Sequence, residues 1–225
     1  MLQVEAIDTP APGHRGYLIH DGETGVVVDP PWDSAQVTSL AARLGVAISL
    51  VAETHLHPGQ LLPGGPTCGS ALARRTGARY AVSAAHQVCP RQLSVTDTDE
   101  LAAGSLTVMV IATPGHTLSH LAFAVTAPDG QAAVCTGGSL RPGGVGRTDL
   151  AGGPELTLEL AGAQFRSARR LAARLPGSTT VLPTHGWTDG QASTIAREQA
   201  SNPALTETSE YAFSAAWPPP WPARP

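Results

Sequence analysis

Lysine is absent from this 225-residue chain, so arginine supplies all of its 14 strongly basic side chains. With 24 glycines and 20 prolines, this is the coding bias of a GC-rich genome and carries no functional information. The formal net charge of −4 leaves no basic stripe for a phosphate backbone, which argues against nucleic acid as a partner. No apolar run approaches the roughly 20 residues of a membrane-spanning helix. The opening "MLQVEAIDTP" has neither a charged n-region nor an apolar h-region, so a soluble cytoplasmic protein is expected. Cysteine is scarce as well. Cys68, Cys89 and Cys135 are odd in number and lack C-x-x-C spacing, against both a disulfide framework and a thiolate zinc site. Each reads as a small buried hydrophobe. No Gly/Ser linker or charge run divides the middle of the chain, and its length is enough for one large domain with its own core.

What is present is an interleaving of strand-like and helix-like segments. "GYLIH" and "GVVVDP" read as two strands joined through Asp21-Gly22, and "HLAFAVTAPDGQAAVCTGG" as two more joined through Asp129-Gly130. "AISLVAET", "ARYAVSA", "LTVMVIATPGH" and "TTVLPTHG" are further strands. Helical spacing marks "SAQVTSLAARLG", with Ser34 as N-cap and Gly45 as the stop, then "GSALARRTG", "GPELTLELAGAQFRSARRLAARLPG" and "GQASTIAREQASNP". The terminal "AWPPPWPARP" fits neither helix nor central strand and is expected to run extended over the surface. The hairpins exclude a simple doubly wound parallel sheet; the expectation is two mixed, mostly antiparallel sheets with helices outside.

Histidines recur where the strands end: His55 and His57, then His116, then His185. In a His-x-His strand end both imidazoles point to one face, because side chains alternate along extended chain. A third imidazole arriving from another loop completes a tripod with an open position, as catalytic zinc requires. His14, His20 and His86 read instead as polar residues satisfied at the surface.

"ETHLH", "TPGHT", "GGSLRPGGVGRTDL" and "VLPTHG", in that order, with "EQASNPAL" near the end, resemble the metallo-β-lactamase-fold superfamily, and within it the persulfide dioxygenase and glyoxalase II branch. The resemblance runs from about Tyr17 to Leu205. It implies an αββα sandwich over residues 1–205, with metal at one edge of the sheets, and a Pro-rich tail over 206–225. The family pattern H-x-H-x-D-H gives one metal the first two histidines and that of TPGH. The second metal takes the Asp-His pair and a late histidine, and an aspartate of T-G-D bridges the two. Mapped here, His55, His57 and His116 keep the first site. The second has Gly59 and Gln60 where ligands belong and retains only His185, and the bridging position is Gly138. The carboxylate of a single-iron persulfide dioxygenase is missing with it.

The resemblance therefore implies one divalent ion, zinc or iron, held weakly by three neutral imidazoles that leave its full charge uncompensated. Glycine at 138 is expected to leave open space beside that ion for a substrate, lined also by Gln60 and His120. His185 is the expected proton carrier, with His120 as a second candidate. Arg147 of the family's G-R-x-D is expected near the reacting atoms. Glu53 and Asp149 are the nearest carboxylates, Asp149 reading as the ion-pair partner of Arg147. The leading reading is a mononuclear metalloenzyme acting on a small sulfur-containing or thioester-like molecule, as a monomer or homodimer. The alternatives are a metal-free pseudoenzyme that binds a ligand or partner in the same pocket, and a metal-independent catalyst using Cys68.

Overall fold

Two six-stranded sheets pack face to face in the computed structural model, which describes residues 1–8, 13–56, 65–149, 153–185 and 193–217. The first sheet has the order β1 (Gln3–Asp8), β2 (Arg15–His20), β3 (Thr24–Val28), β4 (Ala47–Ala52), β5 (Arg79–Ser83), β6 (Gln92–Val95). The second runs β12 (Ser193–Thr194), β11 (Thr180–Pro183), β10 (Ala132–Gly137), β9 (Leu121–Thr126), β8 (Leu106–Ala112), β7 (Glu100–Ala103). Helices α1 (Ser34–Leu44) and α2 (Cys68–Thr76) lie outside the first sheet, and α3 (Pro154–Arg174) with α4 (Ile195–Ser201), α5 (Pro203–Thr206) and α6 (Glu210–Ala216) outside the second.

The strand period of two creates three cores from one set of strands. Ile19, Val28, Leu50, Val108, Phe123 and Cys135 meet between the sheets. Their neighbours Leu18, Val27 and Val51 turn outward onto Val37 of α1 and Leu72 of α2. Ala124 and Val134 turn outward onto Phe165 and Leu171 of α3. Both sheets are thereby buried on two faces, and the αββα sandwich expected from the sequence is the architecture found. Parallel pairing weighs more than expected in the first sheet, where β3, β4, β5 and β6 run parallel and only β1–β2 and β2–β3 are antiparallel. In the second sheet only β10–β11 is parallel.

Both Asp-Gly turns are present, with Gly22 at φ 103° and Gly130 at φ 83°. Helix α1 starts at Ser34, but its cap is Asp33, whose carboxylate accepts from the Ala35 amide at 2.9 Å. In strand β1 the apolar Val4 and Ala6 stay exposed and only Ile7 is buried, because β1 is an edge strand held by its pairing with β2. None of the described helices is long and apolar enough to cross a membrane.

The region after 206, expected to be tail, contains α6. Phe213 lies in the core under α3, 5.4 Å between ring centroids from Phe165, and Glu210 pairs with Arg166. Trp217 stacks on Phe213 and donates its indole N–H to the Gly146 carbonyl at 3.2 Å. Amphipathic packing over one short helix sits inside a segment whose prolines dominate the sequence signal; residues 218–225 lie outside the described part. Phe213→Ala should lower unfolding free energy by about 3 kcal/mol, measured by urea denaturation; an unchanged midpoint would show that α6 does not belong to the folded unit.

Candidate metal centre

The parallel pairs β3–β4 and β10–β11, with β8 running in the same direction as β10, bring five strand ends to one edge of the sandwich. Four deliver polar residues, Asp29 after β3, Thr54 and His55 after β4, His116 after β8, and Thr184 and His185 after β11, and β10 delivers the backbone of Gly138. Tyr17 of β2 helps fix the arrangement by donating its hydroxyl to the Pro183 carbonyl at 2.7 Å, from a burial that pushes its phenol pKa upward.

Asp29 is fully buried and is one of two non-glycine described residues with positive φ, at 50°. Its carboxylate accepts from the Thr54 amide (2.8 Å), the Thr54 hydroxyl (2.7 Å) and the Thr184 hydroxyl. Its amide donates to Ala52 at 2.9 Å. Its carbonyl lies so close to Gly16 that a Cβ there would come within 2.4 Å of the oxygen. One carboxylate thus joins the ends of β4 and β11, which belong to different sheets.

The three histidines His55, His116 and His185 converge, with one ligand nitrogen from each falling within 4.8 Å of the others. Their hydrogen bonds fix which nitrogen. His116 Nδ1 lies 2.7 Å from the Arg147 carbonyl and His185 Nδ1 3.0 Å from the Gly13 carbonyl. A carbonyl only accepts, so both Nδ1 atoms carry the proton. His55 Nδ1 lies 2.7 Å from the Thr54 hydroxyl, whose own proton is given to Asp29, so it too donates. In the neutral form of each ring, Nε2 is then the lone-pair nitrogen. The Nε2 atoms of His55 and His185 stand 3.1 Å apart.

His120 is different. Its Nδ1 meets the Thr113 hydroxyl at 2.9 Å and its Nε2 accepts the Gly138 amide at 3.0 Å, while its ring stacks on His55 at 4.8 Å. Both nitrogens are committed to protein groups, which leaves His120 supporting the site rather than lining an open pocket. The open space expected beside Gly138 is absent. A Cβ at 138 would sit 2.3 Å from His116 Cδ2, because the imidazole lies directly against the glycine. Gly137, at φ 55°, is equally confined: a Cβ there would come within 2.4 Å of Thr54 Oγ1 and 2.5 Å of His120 Nε2. Gln164 of α3 donates to the Gly138 and Ser139 carbonyls at 3.0 and 2.5 Å and holds this glycine turn from behind.

His57 and Gln60 fall outside the described residues. Arg147 makes a bidentate pair with Asp149 at 2.8 and 2.6 Å, which lowers the Asp149 pKa, as the ion-pair reading of that carboxylate requires. Glu53 points away from the histidines, into the start of α2, where it accepts from Thr67 (2.7 Å), Gly69 (3.0 Å) and Tyr80. Burial raises its pKa to about 7 against those hydrogen bonds. It anchors α2 and is not aimed at a reacting centre.

Of the histidines assigned to the surface, His20 is buried instead, and His14 is half-buried beside the site. His14 donates toward the Asp29 carbonyl at 3.2 Å and its ring lies 5.7 Å from that of His185. His20, 2% exposed at the end of β2, has no partner for either ring nitrogen among the described residues. Asp29, Thr54 and Thr184 escaped the sequence reading, although an acidic residue closing the apolar run "GVVVD" was a usable signal: a carboxylate there must be met by donors.

Cys68 opens α2 in a buried position where desolvation, then the Glu53 carboxylate, push its thiol up to about 11. That removes the thiolate a metal-independent catalyst would need at neutral pH. Cys135 is buried between the sheets and its thiol is also raised, while Cys89 is partly exposed. In the native protein at pH 7, iodoacetamide should modify Cys89 alone; peptide mapping that finds Cys68 alkylated at a comparable rate would contradict this.

No family model matches the chain. It is 33% identical over 210 residues to a hydroxyacylglutathione hydrolase of Cereibacter sphaeroides, covering 91% of this chain and 75% of that one. It is 28% identical over 203 residues to the mitochondrial persulfide dioxygenase ETHE1 of Homo sapiens, covering 86% and 72%. Among solved structures, a metallo-β-lactamase from Staphylococcus aureus superposes with a TM-score of 0.83 at 23% identity, over all of this chain and 69% of that one.

Proposed function

Because this chain belongs to the metallo-β-lactamase-fold family of hydroxyacylglutathione hydrolases and persulfide dioxygenases, we propose that it is a mononuclear metalloenzyme acting on a small glutathione thioester or related sulfur compound. The observation that carries this reading is the convergence of three Nε2 lone pairs. Two such nitrogens 3.1 Å apart repel unless a cation stands between them, and this separation is that of two ligands on one ion with Zn–N bonds of about 2.0–2.1 Å. The donor set fits zinc or iron.

In this reading His55, His116 and His185 hold the ion. His185 is a ligand here and not the proton carrier expected from sequence, since its Nε2 faces that of His55. A divalent ion held by these three residues would supply Lewis-acid chemistry toward a thioester or other sulfur substrate. The chain's own contribution is orientation. Thr54, Arg147 and Gly13 each receive an Nδ1–H, fixing tautomer and ring plane, the outer support that metal-ligating histidines ordinarily have. Arg147 serves through its carbonyl, as a positioning residue. With glycine at 138, no carboxylate from that position reaches the centre, so charge neutralisation falls to the substrate or to hydroxide.

Metal analysis of protein purified without added metal should find about one zinc or iron per chain, and His116→Ala and His185→Ala should each abolish it. The 3.1 Å separation also fits a proton shared by His55 and His185; a metal-poor wild type that stays metal-poor after reconstitution would support this metal-free, ligand-binding reading instead. Parallel assays of a glutathione thioester and of glutathione persulfide with oxygen uptake distinguish hydrolysis from oxygenation.

Thr54→Val keeps the amide bond to Asp29 and removes the hydroxyl between Asp29 and His55. It should weaken metal affinity about 10- to 100-fold with far-ultraviolet circular dichroism unchanged, as read by competition with a chromophoric chelator.

A further inference from the structure

A second cleft, between the outer side of α2 and the segment leading into β6, takes no part in the metal centre. We propose that it binds a small amphipathic organic anion: a carboxylate or phosphate monoester on a short apolar body. The cavity holds about 490 Å3, within the range of small-molecule sites. Its walls are apolar, with Ala71 and Ala78 on one side and the ring of Tyr80 behind. Tyr80 is a fixed wall, because its hydroxyl donates to the buried Glu53 carboxylate.

Arg74 and Arg91 stand at the margin of this cleft, both exposed, and no acidic side chain among the described residues lines it. Arg15, Arg147, Arg166, Arg170 and Arg174 sit in ion pairs with carboxylates, Arg75, Arg79 and Arg169 bond to hydroxyl or carbonyl oxygens, and Arg43 and Arg197, also without a carboxylate partner among the described residues, lie away from this cleft. Neither Arg74 nor Arg91 has a hydrogen bond or ion pair with any described residue. Arg74 lies in the last turn of α2, where the helix dipole favours a cation, but Arg91 has no such reason to be there. Two guanidiniums without counter-charges beside an apolar cleft, in a chain whose net charge is negative, are complementary to one oxyanion headgroup with a hydrophobic tail. The tail replaces water against the alanines and Tyr80, and the headgroup stays at the mouth.

Cys89 lines the same cleft and supplies the readout. Octanoate, octyl phosphate and octanol are each titrated against the rate of Cys89 alkylation in the full chain, with the site of modification confirmed by mass spectrometry. Octanoate or octyl phosphate should slow alkylation saturably, and the better of the two identifies the headgroup. Octanol should protect at least tenfold less well. The Arg74→Gln/Arg91→Gln double variant should raise the half-protecting concentration at least tenfold, and Ala71→Leu, which fills the cleft from a partly buried helix position, should remove protection with both arginines in place. Metal content should be unaffected throughout. Absence of protection by both anions up to about 10 mM, equal protection by octanol, or equal protection in the double-arginine variant would overturn the proposal.

Discussion

The arrangement of this edge of the protein depends on one buried carboxylate. Asp29 receives donors from Thr54 and Thr184, the residues immediately before His55 and His185. Those two histidines come from different sheets, 130 positions apart in the chain. Without a shared acceptor, the strand ends would be related only by the packing of apolar side chains between the sheets, which sets a separation but not a hydrogen-bond geometry. With it, the two imidazoles are held to within a few tenths of an ångström of the spacing that one ion needs. The positive φ at Asp29 and the absence of a side chain at Gly16 are the local conditions for placing the carboxylate there. Backbone strain of this kind persists only where surrounding contacts over-determine it.

The glycine pair at 137 and 138 is the second condition. Gly137 has a left-handed backbone conformation as well as close neighbours, whereas at Gly138 the nearest obstacle to a side chain is the His116 ring lying on it. These constraints differ in kind. A side chain at 138 would have to displace His116, and with it the Nδ1 bond to Arg147. The absence of a side chain at 138 and the present place of His116 are therefore linked. The imidazole occupies the volume that a side chain there would claim, on the same side of the turn as His55 and His185.

Much of this was legible in the sequence. Apolar periodicity located α1, α2, α3 and the strands β2–β5 and β8–β11, because those elements bury a continuous face, whereas the short β6 and β7, which give the core only Val95 and Ala103 as fully buried apolar residues, carried too little of it. The Asp-Gly turns fixed two hairpins, and the order of the histidines identified the edge where they meet. Elements whose order comes from tertiary contact were not legible: β1 pairs as an exposed edge, and α6 is defined by Phe213 reaching under α3. The family resemblance also assigned His185 and His116 to different halves of a two-metal pattern. Sequence distance carries no information about a 3.1 Å contact between loops. Nor did it separate His120, both of whose nitrogens are used by the protein, from histidines whose Nε2 is turned inward.

Asp29 also carries the strongest electrostatic constraint at this edge. The described ion pairs do not include it, and the groups that donate to it are two hydroxyls and an amide, all neutral. A fully buried carboxylate stabilised by neutral donors alone retains an uncompensated charge, which is costly in a low-dielectric interior. Its connection through the Thr54 hydroxyl to His55 gives the charge a direction in which to be balanced. A cation on the Nε2 side of that imidazole would polarise the His55–Thr54–Asp29 chain, strengthening each hydrogen bond in it, and would relieve the lone-pair repulsion between His55 and His185. Two separate unfavourable features, a buried anion and converging lone pairs, are thus answered by one positive charge at one place. Filling the centre should accordingly stabilise the fold as well as equip the site.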